Sequence, residues 1–287
     1  MKPFVRRSIL AIGGVSGLSY GGMVVYLLAN EPKMVFQPTS YGGRDQIPIA
    51  DSLGLAIEAR RIGSTPGVGL AAWIIRSADS TGPWLLTCHG NAGNITLLKR
   101  QRFYADAVRH GINVVAFDYR SFGTSSDSAP TERGLYEDAQ SVYRYLRDTL
   151  HVGPERIVIY GHSLGGGVAT ELATTVAAAG LILEGTFRSV PSVAKGRYPY
   201  LPIETLAENR FDNEAKIGRL RIPLLVMHAR GDRTIPFAHG EQLFRVAQGP
   251  KSFVSLGGDH DSAWELDRDT YMTTFVDFIR RKTRSKP

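Results

Sequence analysis

The chain has one cysteine, Cys88, so no intrachain disulfide can form. That leaves the compartment open, because a cysteine-poor chain survives in either redox environment. His, Cys and carboxylate residues nowhere fall at metal-ligand spacing, and no phosphate loop ends in Lys-Ser or Lys-Thr. No metal and no organic cofactor is therefore expected. Internal repeats and low-complexity segments are also missing. A net charge of +7 invites a nucleic-acid reading until the charges are located. Lys2, Arg6 and Arg7 lie at the start, and Arg280, Arg281, Lys282, Arg284 and Lys286 at the end. Apart from those eight, the 34 basic residues nearly balance the 27 acidic ones. The basicity belongs to the tails, so no nucleic-acid partner is expected.

Charge is also lacking from Ser8 to Asn30, "SILAIGGVSGLSYGGMVVYLLAN". About 20 such residues suffice for a spanning helix. Three basic residues precede the stretch, which by the positive-inside rule puts the N-terminus in the cytoplasm. Residues 1–30 are thus expected to be a single-pass membrane anchor, with the body, residues 31–287, on the outer (periplasmic or lumenal) side. Secretion after signal cleavage is the alternative, but the apolar region is long for a signal, and Leu27 before Ala29 makes a poor cleavage site. Gly13, Gly17 and Gly21, like Gly14, Leu18 and Gly22, recur every four residues. This spacing suits helix-mediated self-association, although glycine is common in membrane segments in any case.

The body, 43% hydrophobic in the chain as a whole, alternates strand and helix patterns. Strands are expected at 53–62, 69–76, 84–88, 112–117, 156–160, 181–184, 223–227 and 252–256. Most are short continuous apolar runs, which suit a sheet covered on both faces. Helical patterns occupy 97–110, 163–179 and about 262–281. Leu135, Ala139, Val142, Leu146 and Leu150 mark a further helical face. The expected fold class is α/β: a doubly wound, mostly parallel sheet of about eight strands with helices on both faces.

One strand runs into "GHSLG", Gly161 to Gly165, just before a helical pattern. Ligands bind beyond the carboxyl ends of strands in such sheets. Gly-x-Ser-x-Gly between strand and helix is the context of a nucleophile elbow, which singles out Ser163. A serine nucleophile needs a base, and the base an acid, following in chain order acid then histidine. Asp232 follows the strand at 223–227, and His260 follows the last strand. Asp259 and Asp261 are nearer His260, but neighbours on one loop rarely present side chains to each other, so Asp232 is preferred. His162 is expected to point elsewhere, and His228 to be structural. Backbone amides of Leu164 and of Asn91, in the Gly-rich loop "HGNAGN" after the third strand, are the expected oxyanion donors.

These motifs, with "DYRSFGTSS" and "HARGDRTIP", occur in an order that resembles the α/β-hydrolases over roughly residues 53–281. Within them the chain looks most similar to a membrane-anchored branch of bud-emergence-type proteins and protein depalmitoylases. The resemblance implies an α/β-hydrolase fold and hydrolysis of esters or thioesters, with Ser163, Asp232 and His260 as catalytic residues and Asn91 and Leu164 as the oxyanion hole. The acyl group would sit on a lipid or a protein. Ser121 stands where the family's "DYRGFG" pattern has glycine, and "RGD" departs from a Gly-x-x-Asp stretch. Residues 187–220 fall where such folds carry a lid, with Tyr198, Tyr200 and Phe211 as its candidate substrate contacts; packing at the sheet edge is the competing role. A serine peptidase on the same fold and a non-catalytic binding protein are the competing functions.

Overall fold

The structure, a computed structural model, describes residues 3–40, 50–79 and 81–283; in the first helix, side chains are described from residue 19 onward. Eight strands form one sheet: β1 (Ile57–Gly63), β2 (Gly69–Ile75), β3 (Trp84–Cys88), β4 (Asn113–Phe117), β5 (Ile157–His162), β6 (Gly180–Glu184), β7 (Leu224–Ala229) and β8 (Lys251–Leu256). Their spatial order is β8-β7-β6-β5-β3-β4-β2-β1. β2 runs antiparallel to both β1 and β4, and all other neighbours are parallel. From β3 the chain goes outward to β4 on one side and then to β5 on the other. The crevice at that reversal lies between the carboxyl ends of β3 and β5, which is where such sheets bind ligands.

Because strand side chains alternate, each central strand feeds both faces. Leu86, Val115, Ile159, Leu183 and Val226 join one buried cluster. Their predecessors Leu85, Val114, Val158, Ile182 and Leu225 join the other. The helix α1 (Pro3–Val35) precedes the sheet. α2 (Leu98–Arg109) and the last helix cover the second cluster through Phe103, Tyr104 and Ala107, and through Tyr271, Met272 and Phe275. α3 (Glu132–Arg144), α4 (Leu164–Thr175) and a later helix, Ala238–Val246, cover the first. Thr131 caps α3 by accepting from the Gly134 N–H at 3.0 Å. This is the usual way of satisfying an orphan donor of the first turn.

Two helices end differently from their sequence patterns. α3 passes into a wider π turn at Tyr145–Thr149, so Leu150 is only partly buried. The expected single final helix breaks at Asp267, leaving Ala263–Leu266 and then α5 (Arg268–Thr283). The Asp267 carboxylate accepts from the Gly257 N–H at 2.9 Å, a side-chain bond that competes with helix continuation.

The N-terminal expectation needs correction. Among the described residues no helix is long and apolar enough to cross a membrane. The single-pass anchor over 8–30, with its cytoplasmic N-terminus and outward catalytic domain, is overturned. Five glycines, three serines and two tyrosines thin the apolar content of that stretch. The described part of α1 is instead built into the body. Val35 and Phe36 enter the core, and Leu27 and Leu28 face a cavity. Loss of the segment as a signal would remove Leu27 and Leu28 from that wall. Tyr20 donates through its hydroxyl to the Tyr200 carbonyl at 2.8 Å. The Glu31 carboxylate accepts from the backbone N–H groups of Glu208 and Asn209, at 3.1 and 2.6 Å. Of the regularly spaced glycines, Gly13, Gly14 and Gly17 lie outside the residues whose surroundings are described; Gly21 and Gly22 border open space.

Glu31 thus clamps α1 to the segment 187–220. Hydrogen bonds to charged groups contribute about 1.5–3 kcal/mol each, equivalent to at least tenfold in a local opening equilibrium. Glu31→Ala is expected to speed amide exchange at Glu208 and Asn209 by about tenfold or more. Amide exchange on the intact chain measures this; unchanged protection at both residues would show that the clamp contributes nothing.

Candidate active site

Ser163 sits on the turn between β5 and α4 with φ +54 and ψ −121. That conformation is nearly reserved for glycine and costs about 1–3 kcal/mol in any other residue. The surroundings hold it there. The Ser163 N–H donates to the Glu184 carbonyl at 3.0 Å, and the Ser163 carbonyl accepts from Gly166 N–H and Thr186 Oγ1 at 2.9 and 2.8 Å. Two glycines make the turn feasible. A Cβ on Gly161 would fall 2.4 Å from the Gly165 carbonyl oxygen, and one on Gly165 only 2.0 Å from that of Cys88. α4 can therefore start directly against β3 and β5 with the serine hydroxyl at the sheet's carboxyl edge.

The loops after β7 and β8 bring the other two candidates to that hydroxyl. His260 Nε2 lies 2.9 Å from Ser163 Oγ, and His260 Nδ1 lies 2.7 Å from Asp232 Oδ2. Asp232 Oδ1 accepts from the N–H groups of Thr234 and Ile235 at 2.9 and 2.8 Å. Burial alone would raise the pKa of this carboxyl. Hydrogen bonds from His228 and His260 and from the Ile235 amide outweigh it, so the group is held well below the usual carboxylate range. It stays ionised, which fixes Nδ1 of His260 as the protonated nitrogen and leaves Nε2 as the acceptor facing Ser163.

The rival acids are engaged elsewhere. Asp259 Oδ1 accepts from Asp261 N–H and from both Ser262 N–H and its hydroxyl, and Asp261 pairs with Lys99 at 2.6 Å. His228 is buried, with Nε2 2.9 Å from the Ile235 carbonyl, where it steadies the loop carrying Asp232. His89 is buried too and donates from Nδ1 to the Gly90 carbonyl at 2.7 Å.

Asn91 and Leu164 both border Ser163 in one cavity wall. As the first residue of α4, Leu164 has an N–H without a partner inside the helix. The Asn91 loop is tied down on several sides. Its carbonyl accepts from Gln37 N–H at 2.9 Å, and Gln37–Pro38 pairs in parallel with Ala92–Gly93. The Arg100 guanidinium donates to the carbonyls of Ala92 and Asn94 at 2.8 and 2.7 Å.

Two cavities meet at the serine, sharing Asn91, Ser163 and Thr234. One, of about 400 Å³, is walled by apolar side chains including Leu27, Leu28, Val35, Phe187, Val193 and Ile235. The other, of about 390 Å³, has an aromatic wall that includes Phe103, Tyr160 and Trp264 and carries the charged or polar groups of Lys99, Arg100, Glu184 and His260. Tyr198 borders the apolar cavity. The other two candidate lid contacts lie away from it. Tyr200 is 89% exposed and engages Tyr20 through its carbonyl. Phe211 is fully buried between Phe36 and Tyr136, with ring centroids at 6.2 and 5.5 Å, filling the space opposite Gly167. It is a core residue, and its hydrophobicity alone did not separate core from lid.

His162 is the residue that sequence reasoning placed wrongly. Its ring lies 5.1 Å from that of His260, and its Nε2 is 3.2 Å from the His260 carbonyl. A carbonyl only accepts, so Nε2 carries the proton. Burial, more than any neighbour, pulls this imidazole down to about 4, and it is neutral at ordinary pH. No local pattern marks it; its role depends on the last loop folding over the end of β5. Ser121, the departure from the family pattern, does adopt the glycine-like conformation, with φ +64. Its hydroxyl bonds to the Ser128 carbonyl at 2.8 Å and to Asp127 at 3.0 Å, which offsets the strain.

Comparison with known proteins agrees with this architecture. Residues 85–274 match the model of the alpha/beta hydrolase family. An uncharacterized protein of Mycobacterium tuberculosis is 28% identical over 278 residues, spanning 96% of this chain and 95% of that one. A lysophosphatidylserine lipase of Danio rerio is 34% identical over 200 residues, 63% of this chain and 52% of the lipase. A Pyrococcus furiosus esterase superposes with a TM-score of 0.71 at 15% identity, covering 86% of this chain and 98% of the esterase, a likeness of fold. With its sheet order, its elbow and two thirds of its length inside the family's pattern, the chain belongs to the alpha/beta hydrolase family.

Proposed function

We propose that this chain is a serine hydrolase that cleaves carboxylic esters or thioesters through an acyl-enzyme intermediate. The observation that carries the reading is the relay from Asp232 through His260 to Ser163 Oγ, opening where two cavities meet. In the proposed cycle His260 Nε2 takes the Ser163 hydroxyl proton as Oγ attacks the acyl carbon. The backbone N–H groups of Asn91 and Leu164 stabilise the oxyanion. His260 then returns the proton to the departing alcohol or thiol. Water attacks the acyl-enzyme in the same way, with His260 again as base, and frees the acid. Asp232 keeps the imidazole in the required tautomer.

The cavity walled by α1 and residues 187–220 suits the acyl chain, and the second cavity, which carries charged groups beside its aromatic wall, takes the leaving group. Residues 187–220 act as a lid on one side of the apolar cavity, with α1 as its other wall. The thioester arm rests on the motif resemblance to depalmitoylase-type hydrolases. The ester arm is supported by the lysophosphatidylserine lipase relative, whose substrate name joins an acyl chain to a polar head. The acylated partner is accordingly a lipid or an acylated protein.

Each methylene buried contributes about 0.8 kcal/mol, roughly fourfold in binding. Butyryl to octanoyl p-nitrophenyl esters should therefore be cleaved faster than acetyl, and aminoacyl anilides barely at all; anilide turnover above ester turnover would favour a peptidase. Ser163→Ala should abolish ester turnover with the fold retained by circular dichroism. Asp232→Asn should cost on the order of 10⁴ in kcat, as in the serine-protease precedent for a mis-set tautomer. A loss below about tenfold would remove Asp232 from the relay. Leu28→Trp should shorten the preferred acyl chain in the same ester series, and an unshifted optimum would place the acyl group outside the apolar cavity.

A further inference from the structure

The second cavity at the serine contains a buried carboxylate that the proposed cycle does not use. Glu184 ends β6 and is only 7% exposed. Its backbone carbonyl holds the Ser163 N–H, so the side chain is anchored one hydrogen bond from the elbow. Both Tyr160 and Tyr271 donate their hydroxyls to the same oxygen, Oε2, the latter at 2.5 Å. Burial, and then the Glu184 charge itself, push both phenols well above 10, so both remain donors. Oε1 has no hydrogen-bond partner among the described residues, yet it is not sealed inside the protein. A buried carboxylate with one oxygen doubly satisfied and the other open is an acceptor awaiting a donor.

The neighbouring charges narrow what that donor is. Lys99 and Arg100 line the same cavity. Lys99 is balanced by Asp261, whereas Arg100 donates to carbonyls and forms no ion pair among the described residues. A bare cation entering here meets Arg100 as well as Glu184. A neutral hydroxyl gains the hydrogen bond to Oε1 without that repulsion.

We infer that Glu184 Oε1 is a specificity determinant for the leaving group, accepting a hydrogen bond from a second hydroxyl on the departing alcohol, so that the favoured substrates are acyl esters of polyols. The inference rests on the ester-hydrolase reading and adds to it the chemistry of the alcohol side. Glu184 does not touch the reacting bond in this scheme. It orients the alcohol so that the ester oxygen faces His260.

Four octanoyl esters separate the outcomes: glyceryl, ethyl, choline and p-nitrophenyl. Glyceryl octanoate presents hydroxyl donors, ethyl octanoate presents none, and octanoylcholine presents charge without any N–H or O–H. The intact chain should show a glyceryl-to-ethyl ratio of kcat/KM of about tenfold or more, as expected for a hydrogen bond to a charged group, carried mainly by KM. Octanoylcholine should fall below the glyceryl ester. In Glu184→Gln the amide oxygen is retained by the two phenols, and its NH2 turns a donor toward the alcohol. The alcohol hydroxyl can still accept from that NH2, but as a neutral hydrogen bond, so the glyceryl-to-ethyl ratio should fall by about threefold or more. Equal glyceryl and ethyl rates in the unmodified chain, or an unchanged ratio in Glu184→Gln, would overturn the assignment. A choline ester preferred over the glyceryl ester would replace hydrogen bonding by charge as the basis of selection, and overturn it too. If none of the four is cleaved, p-nitrophenyl included, the ester-hydrolase reading itself fails. The comparison among substrates needs no variant, so a misfolded Glu184→Gln would leave it decisive.

Discussion

Ser163 is held in a backbone conformation that a side-chain-bearing residue avoids, and the candidate site is arranged around that constraint. The strain of about 1–3 kcal/mol persists because the turn has no freedom to relax. Gly161 and Gly165 let α4 press against β3 and β5 at distances that a Cβ on either would forbid. Thr186, Gly166 and the Glu184 carbonyl fix the serine's own peptide groups. The hydroxyl is therefore presented in one position, and the histidine and aspartate need only come from loops after β7 and β8 to meet it. A sheet whose order reverses beside β3 brings those loop ends to the same edge.

Two largely apolar cavities adjoin that edge, and they differ in where their charged groups sit. On one side α1 and residues 187–220 enclose apolar space; on the other, β6 and the loops after β3 and β8 enclose charged and hydrogen-bonding groups. The Glu31 contacts matter here because they tie the helix that forms one wall to the segment that forms the other. A hinge in either would change that cavity while leaving the serine turn untouched.

Local patterns carried much of this in the sequence. The central strands were legible because a fully buried parallel strand is a short apolar run, as in "NVVAF" and "LLVMHA". The elbow was legible because glycine is the residue that close backbone approach demands. Contacts made by chain reversal were not. His162 and Glu184 become neighbours of the site only through the pairing of β5 with β6 and the folding of the His260 loop. Phe211 reads as a lid residue because aromatic character does not distinguish a cavity wall from a core position. The N-terminal stretch reads as an anchor because absence of charge is a necessary feature of a spanning helix. It is insufficient when glycine, serine and tyrosine dilute the apolar content, and when the apolar side chains have protein to cover.

The central claim is that Ser163 becomes acylated. Intact-mass measurement of the chain during turnover of p-nitrophenyl butyrate, followed by peptide mapping, tests it most directly. A butyryl increment on the peptide that contains Ser163, formed in step with a burst of p-nitrophenol, is the predicted result. Turnover without any covalent adduct, or an adduct on a different residue, would contradict it.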